Sequence, residues 1–183
     1  MTAQNSNNET YVTKKLSILD LFSGSGCVGV ALLKNIPDCT VDFGEKDTEL
    51  VLQIQKNITD NIENTNRDHV YETDVFSNIP SKKYNYIFAN PPYISHDRKW
   101  QVARPVIEHE PHLALFADDN GLFYVKKLLS EAPEYLAPQG KLFIEFDAWQ
   151  KDEIEKLIHE SKFKGEFQKD QFDKWRVAVG ELK

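Results

Sequence analysis

Two consecutive prolines, Pro91 and Pro92, follow directly on Tyr84-Asn85-Tyr86-Ile87-Phe88-Ala89-Asn90, and that junction restricts the fold more than any other stretch. Tyr84 to Phe88 is aromatic and β-branched enough to form a buried strand, and the prolines after it permit neither a sheet ladder nor a helix. The strand therefore ends there, with its last residues held stiff. Asn90 falls at the carboxyl end of a strand, where open α/β sheets bind their ligands. Its amide offers an acceptor and two donors, the Pro91 carbonyl is a further acceptor, and Tyr93 supplies a flat apolar wall. Such a cup suits a planar group bearing NH2. Taken alone, Asn-Pro-Pro is more often a turn that simply ends a strand.

The preceding sequence supplies the context. Leu16 to Phe22 is a short apolar strand, followed by Ser23-Gly24-Ser25-Gly26 and the helix-forming run Val28 to Lys34. Strand, glycine loop and helix start together expose backbone amides to a polar ligand, and Asp20 at the strand end could hold a cationic amine, directly or through water. Thr40 to Glu45 is a second strand, and its terminal acid stands nineteen positions beyond Gly26. An acid about 20 residues past such a loop grips ribose hydroxyls. Glu45 is the expected ribose residue, with Asp42 as the alternative. Leu50, Ile54, Ile58 and Ile62 recur at every fourth position, as the core stripe of a helix does. Val70 to Thr73 is a third strand, and Asp74, flanked by Val75 and Phe76, would accept from an exocyclic amine of a base. After the prolines, Leu122, Val125, Leu128 and Leu129 mark a helix ended by Pro133, and Pro138-Gln139-Gly140 is a turn. Lys141 to Phe146, Phe163 to Phe167 and Trp175 to Val179 are strands, with a helix at Glu153 to Glu160 between the first two. Strands alternating with helices, then two strands together, predict an α/β fold on a mainly parallel sheet with a late antiparallel edge.

At 183 residues the chain fits one domain, residues 16–183, behind a polar lead-in, residues 1–15. A net charge of −7 argues against a general nucleic-acid binder. Cys27 and Cys39 fit no metal spacing and read as small buried hydrophobes in a reducing compartment. No apolar run approaches the roughly 20 residues of a membrane helix, so a soluble chain is expected, without a transit peptide.

A glycine loop alone is shared by many nucleotide binders. The combination of Asp20-Leu21-Phe22-Ser23-Gly24-Ser25-Gly26, Glu45, Asp74 and Asn90-Pro91-Pro92-Tyr93 resembles a class I S-adenosylmethionine-dependent methyltransferase acting on an amino or amide nitrogen. That resemblance implies a Rossmann-like, seven-stranded, mainly parallel sheet with one antiparallel edge strand and helices on both faces. Pro105 to Leu115, Asp119-Asn120-Gly121-Leu122, Gly140 to Glu145 with Gln150, and Lys169-Asp170 leading to Arg176-Val177 narrow it: they resemble the HemK/PrmC family of peptide-chain release factor N5-glutamine methyltransferases, across Ile18 to Val179. The resemblance implies S-adenosyl-L-methionine as cofactor and S-adenosyl-L-homocysteine as product. It implies cofactor contacts at Asp20, Phe22, Gly24, Gly26, Glu45, Asp74, Val75 and Asn90, and catalytic positions at Asn90, Pro91, Pro92 and Tyr93. The implied substrate is the glutamine of a Gly-Gly-Gln loop in a release factor. Phe22 departs from the family by standing where a glycine is usual, and Asp119-Asn120-Gly121 is a thinner version of its glycine-rich turn. Members carry a helical docking domain ahead of the catalytic fold, whereas a polar lead-in precedes Leu16 here, so a catalytic-domain fragment or another mode of docking is expected.

An amide nitrogen is a poor nucleophile, so positioning rather than a base should do the chemistry, and no metal is expected although His96, His109 and His112 lie close in sequence. His96, Arg98, Lys99 and Arg104 offer a local positive patch that would guide a partner, or else ordinary loop solvation. The alternative function is methylation of an exocyclic NH2 of adenine or guanine in nucleic acid. A third is a non-catalytic scaffold, which an intact cofactor signature opposes. No membrane and no sequence-specific nucleic-acid partner is expected, and a monomer is the default. The Asp-Leu-Phe-Ser-Gly-Ser-Gly-Cys version resembles organellar members, which favours a mitochondrial over a cytoplasmic location.

Overall fold

The computed structural model describes residues 15–63, 66–101, 104 and 112–183. The lead-in Met1 to Thr13 and the segment Pro105 to Pro111, with Glu108, His109 and Glu110, lie outside the described residues. In chain order come β1 (Leu16–Leu21), α1 (Cys27–Asn35), β2 (Cys39–Glu45), α2 (Thr48–Asn61), β3 (Asp68–Glu72) and β4 (Tyr84–Ala89). Then follow β5 (Ile94–Ser95), a 3-10 turn (His96–Gln101), β6 (Phe116–Ala117), α3 (Phe123–Glu131), β7 (Leu136–Glu145), α4 (Lys151–Glu160), β8 (Phe163–Lys169) and β9 (Trp175–Leu182).

Seven strands form one sheet in the order β3-β2-β1-β4-β7-β9-β8, and β5 and β6 make a small separate pair. All neighbours are parallel except β9, which runs against both β7 and β8. The mainly parallel sheet and its reversed strand are thus as expected, with the reversed strand one place in from the edge. The order turns back between β1 and β4, and the loops leaving these two strands open a crevice at their carboxyl ends.

Period-two alternation divides the side chains between two cores. Ile18, Val41 and Phe43 meet Leu33 of α1 and Ile54 and Ile58 of α2 on one face. Leu19, Leu21, Ile87, Leu142 and Ile144 meet Val125 and Leu128 of α3 and Ile154 and Ile158 of α4 on the other. Asp47 caps α2 by accepting from the amides of Glu49 and Leu50. Pro133 stops α3, whose end passes into a 3-10 turn at Ala132–Glu134.

Two details differ from expectation. Strand β7 starts at Leu136 rather than Lys141: Leu136 pairs with Tyr84, the Pro138-Gln139-Gly140 turn bulges out on a left-handed Gln139, and pairing resumes between Lys141 and Tyr86. Cys39 is buried as expected, but Cys27 opens α1 on its exposed side. Among the described residues no helix is long and apolar enough to cross a membrane.

Asp42, the alternative ribose acid, is fully buried in mid-strand. Its Oδ2 accepts from the Tyr84 hydroxyl at 2.7 Å and forms an ion pair with Lys82 Nζ at 2.7 Å, so it serves the sheet rather than the crevice. Tyr84→Phe should remove one hydrogen bond to a buried charge and destabilise the protein by about 1.5–3 kcal/mol in denaturant titrations. A loss under about 0.5 kcal/mol would mean that Lys82 alone satisfies the carboxylate.

Candidate active site

The loop after β1 is built from left-handed residues: Phe22 (φ 55°), Gly24 (φ 55°) and Gly26 (φ 80°). Ser23 pins it, its Oγ donating to the Asp20 carbonyl at 2.7 Å and its backbone N–H to the Gly44 carbonyl at 3.2 Å. A Cβ at Gly24 would meet nothing within 4 Å, so that backbone faces open space. Phe22, where the family favours glycine, keeps the left-handed backbone at a cost of about 1–2 kcal/mol. Its ring packs edge-on against Tyr124, centroids 5.1 Å apart, which offsets part of that strain.

Asp20 lies under this loop, 4% exposed, and its Oδ2 accepts from the Gly29 amide at 2.9 Å. Burial pushes its carboxyl up to about 7, opposed by the Gly29 amide and assisted by the charge of Glu45. Gly29 was not anticipated from sequence: a Cβ there would stand 2.2 Å from the Phe43 ring, so only glycine lets α1 seat on β2 and bring its amide to Asp20.

Glu45 leaves the end of β2 with its carboxylate gathered by backbone N–H groups: Gly24 at 2.8 Å, Lys46 at 2.7 Å and Asp47 at 3.0 Å. Of the roughly four acceptor sites on a carboxylate this leaves one for a hydroxyl. Asp74 follows β3, and the hydrogen bond from Lys46 at 3.0 Å holds its carboxyl below the usual range, assisted by Lys127. Val75 adopts φ 57° and turns its buried side chain to the same cavity, whereas Phe76 stacks on Tyr135, centroids 4.4 Å apart, and belongs to the core.

These groups share one cavity of about 250 Å³, lined by Phe22, Gly24, Glu45, Asp74, Val75, Asn90 and Pro92. Sequence reasoning missed Lys46, Thr73 and Tyr124 on the same lining and assigned Leu50 to the core, whereas Leu50 is half-buried here. Asp20 and Gly26 support the cavity from beneath: Gly26 abuts Ile54 and Phe43. The open Gly24 backbone, the remaining acceptor on Glu45 and the carboxylate of Asp74 fit the hydroxyls and amine of an adenosyl group.

At the rim, Asn90 is exposed beyond the last residue of β4, and its side chain makes no hydrogen bond among the described residues; Pro91 and Pro92 are buried behind it. Tyr93 is half-buried and turned to a neighbouring cavity. Burial raises its hydroxyl, with the charge of Glu145 adding to the effect and Arg176 opposing it, and burial likewise lifts the Glu145 carboxyl against the pull of Arg176. The Tyr93 carbonyl is clamped: the fully buried Gln150 donates Nε2 to it at 3.1 Å and to the Asn120 carbonyl at 3.3 Å. Gly121 closes the other side, where a Cβ would lie 2.1 Å from the Tyr93 oxygen. The left-handed Asp119 and Asn120, with Gly121, shape that turn. Of the histidines, His96 stacks on Phe116, 5.4 Å between centroids, and stands 3.7 Å from Asp118.

A family model for the methyltransferase small domain matches residues 7–115. A release factor glutamine methyltransferase of Streptococcus pneumoniae is 36% identical over 169 residues, covering 90% of this chain and 58% of that protein. One from Flavobacterium psychrophilum is 30% identical, over 82% of this chain and 53% of its own length. A bifunctional methyltransferase of Rickettsia conorii is 32% identical, over 79% of this chain and 28% of that protein. The chain thus spans about half the length of the release factor methyltransferases it matches. These relatives are bacterial and lend the mitochondrial expectation no support. Among solved structures, a ribosomal protein L11 methylase from Lactobacillus delbrueckii subsp. bulgaricus is similar with a TM-score of 0.67 at 16% identity, over 96% of this chain and 74% of that one, a likeness of fold alone.

The buried carboxyl at the base of the site carries a pH signature. An aspartate with an ordinary value of 3.8 that is held near 7 when folded keeps its proton while the unfolded chain loses one. Its contribution to stability is therefore fully present below about pH 4 and is lost as the pH rises through about 7. Asp20→Asn keeps an acceptor for the Gly29 amide but cannot ionise. Relative to that variant, wild-type protein should lose on the order of 4 kcal/mol between about pH 4 and pH 8, read from denaturation midpoints. Parallel profiles for the two proteins would show that the carboxyl is not held protonated.

Proposed function

The chain belongs to the methyltransferase small domain family, and we propose that within it this chain is a protein-glutamine methyltransferase that uses S-adenosyl-L-methionine to methylate the side-chain amide nitrogen of a glutamine in a peptide-chain release factor, in its Gly-Gly-Gln loop. The release factor glutamine methyltransferases at 30–36% identity support this HemK/PrmC reading. The observation that carries it is Asn90: an exposed amide that hydrogen-bonds to none of the described residues, on the rim of the nucleotide-fitting cavity and backed by two buried prolines.

Bound in that cavity, the cofactor supplies a sulfonium methyl and leaves as S-adenosyl-L-homocysteine, a neutral thioether. The chain's own part is to hold and to orient. Gly24 and Glu45 would hold the ribose, Asp74 the adenine amine once it shares its bond with Lys46, and Asp20 the charged amine through the loop above it. Asn90 Oδ1 and the Pro91 carbonyl would accept the two N–H groups of the substrate carboxamide. That opposes delocalisation into its carbonyl and turns the nitrogen lone pair toward the methyl. The rigid Pro-Pro backbone prevents this pair of acceptors from adjusting to a group of another shape. No base is required before transfer, since the product amide can shed its proton to solvent afterwards.

Methylation of an exocyclic base amine has no observation in its favour beyond the shared motif, and the chain's net charge of −7 weighs against a phosphate-bearing substrate. The bacterial relatives support a cytoplasmic setting in place of the mitochondrial one.

Incubating enzyme, cofactor and intact release factor should add one methyl group to the Gly-Gly-Gln peptide, read by mass spectrometry. Asn90→Ala should lower turnover at least about 100-fold while shifting the cofactor Kd less than about threefold. A comparable loss of cofactor affinity would place Asn90 in cofactor binding instead.

A further inference from the structure

Beyond the Asn90 to Tyr93 segment lies a second cavity, of about 200 Å³, lined by Tyr93, Ser95, Arg98, Asp147, Trp149 and Arg176. The segment is a wall common to both cavities: Asn90 and Pro92 line the cofactor side, and Tyr93 lines the other. Nothing in the cofactor's chemistry uses this second space, yet it adjoins the residue expected to hold the methyl acceptor.

Its chemistry is mixed and ordered. The Arg98 guanidinium carbon lies 3.9 Å from the centre of the Trp149 ring, a cation–π contact that sets two flat groups against each other. Trp149 nevertheless remains 39% exposed at the cavity mouth. Arg176 is held from behind by the Phe146 carbonyl at 3.3 Å and by Asp170 at 3.5 Å. Asp147 is held by the turn that Gln150 closes, its amide donating to Gln150 Oε1 at 3.1 Å and its carbonyl accepting the Gln150 amide at 2.8 Å. Guanidinium donors, a carboxylate acceptor and aromatic flats match the alternating carbonyls and N–H groups of an extended polypeptide. Tryptophan and arginine are also the side chains that most often anchor protein interfaces. A nucleic-acid strand would bring phosphates toward Asp147 on a protein of net charge −7.

We propose that this cavity receives the stretch of substrate polypeptide adjoining the methyl-accepting residue, with Trp149 and Arg98 as its specificity-determining ledge. The inference rests on the chain being a protein methyltransferase. The ledge sits on the turn at His96–Gln101 and on the corner between β7 and α4, and the buried Gln150 ties that corner to the Tyr93 carbonyl. An occupant of the ledge is thereby registered against the rim that holds the reacting amide.

The test uses intact release factor as acceptor, with wild type, Trp149→Ala, Trp149→Phe and Arg98→Ala. Turnover gives the KM for the factor, and calorimetry gives factor binding in the presence of S-adenosyl-L-homocysteine and, separately, the cofactor Kd. Trp149→Ala and Arg98→Ala should each raise the KM and the Kd for the factor about tenfold, with the cofactor Kd within about twofold. Trp149→Phe, which keeps a ring under the guanidinium, should stay within about threefold. If wild type methylates the factor and both alanine variants match its KM and binding, the ledge is overturned while the proposed function stands. If wild type neither binds nor methylates the factor, the proposed function falls and the ledge with it. A single-stranded oligonucleotide whose binding depends on Trp149 would assign the ledge to nucleic acid and overturn it equally.

Discussion

The carbonyl of Tyr93 has almost no freedom, and the placing of both cavities follows from that. Gln150 donates to it from a fully buried position, and its own Oε1 accepts the Asp147 amide at 3.1 Å, so the donor cannot swing away without stranding polar groups. Gly121 admits no side chain on the other flank. Upstream, β4 is paired on both sides, with β1 and with β7, and the prolines after Asn90 fix two φ angles. A segment anchored at both ends in this way holds the Asn90 amide to a narrow range of positions. The proposed methylation of an amide would need that, because an unactivated nitrogen gains its rate from alignment rather than from a base.

The glycine loop meets the opposite requirement. It must stay open to a ligand while lying over a buried carboxyl, and it does so by accepting strain. Phe22 pays conformational energy for a backbone that glycine would adopt without penalty, and the edge-on contact with Tyr124 returns part of it. Because Tyr124 also lines the cofactor cavity, the substitution that departs from the family pattern is packed into the site instead of merely tolerated. Beneath it, burial pushes the Asp20 carboxyl up to about 7; a cationic group brought near would favour its ionised form and so gain a partner as it arrives.

Local pattern carried much of this into view. Short apolar runs and the punctuation around them located β1, β2, β3, β4, β8 and β9, and the four-residue repeat located α2, because those signals come from residues that the cores on either face of the sheet require. The strand end marked by Pro91 and Pro92 was legible because proline acts through its own backbone. Glu45 could be separated from Asp42 only by structure: both are acids on one strand, and burial against Tyr84, forty-two positions away, is what decides. Gly29 against Phe43, Gln150 against Tyr93 and Arg98 against Trp149 are also contacts between distant positions, and no periodicity or spacing announces them. The bulge at Gln139 was read as a turn because Pro-Gln-Gly has turn chemistry; that the strand continues through it depends on the partner Tyr84.

A wall common to two cavities also couples them. If the cofactor narrows the motion of Asn90 and Pro92, it narrows the motion of Tyr93 as well, since the chain between them has two prolines and no slack. Ordering paid at one cavity then need not be paid again at the other, and each ligand would strengthen the binding of its partner by the same factor. In that case the clamp at Gln150 would set the size of the factor, since a stiff wall passes restraint across and a loose one lets each cavity fill without regard to the other. The fully buried amide, with donor and acceptor both satisfied, makes this wall a stiff one.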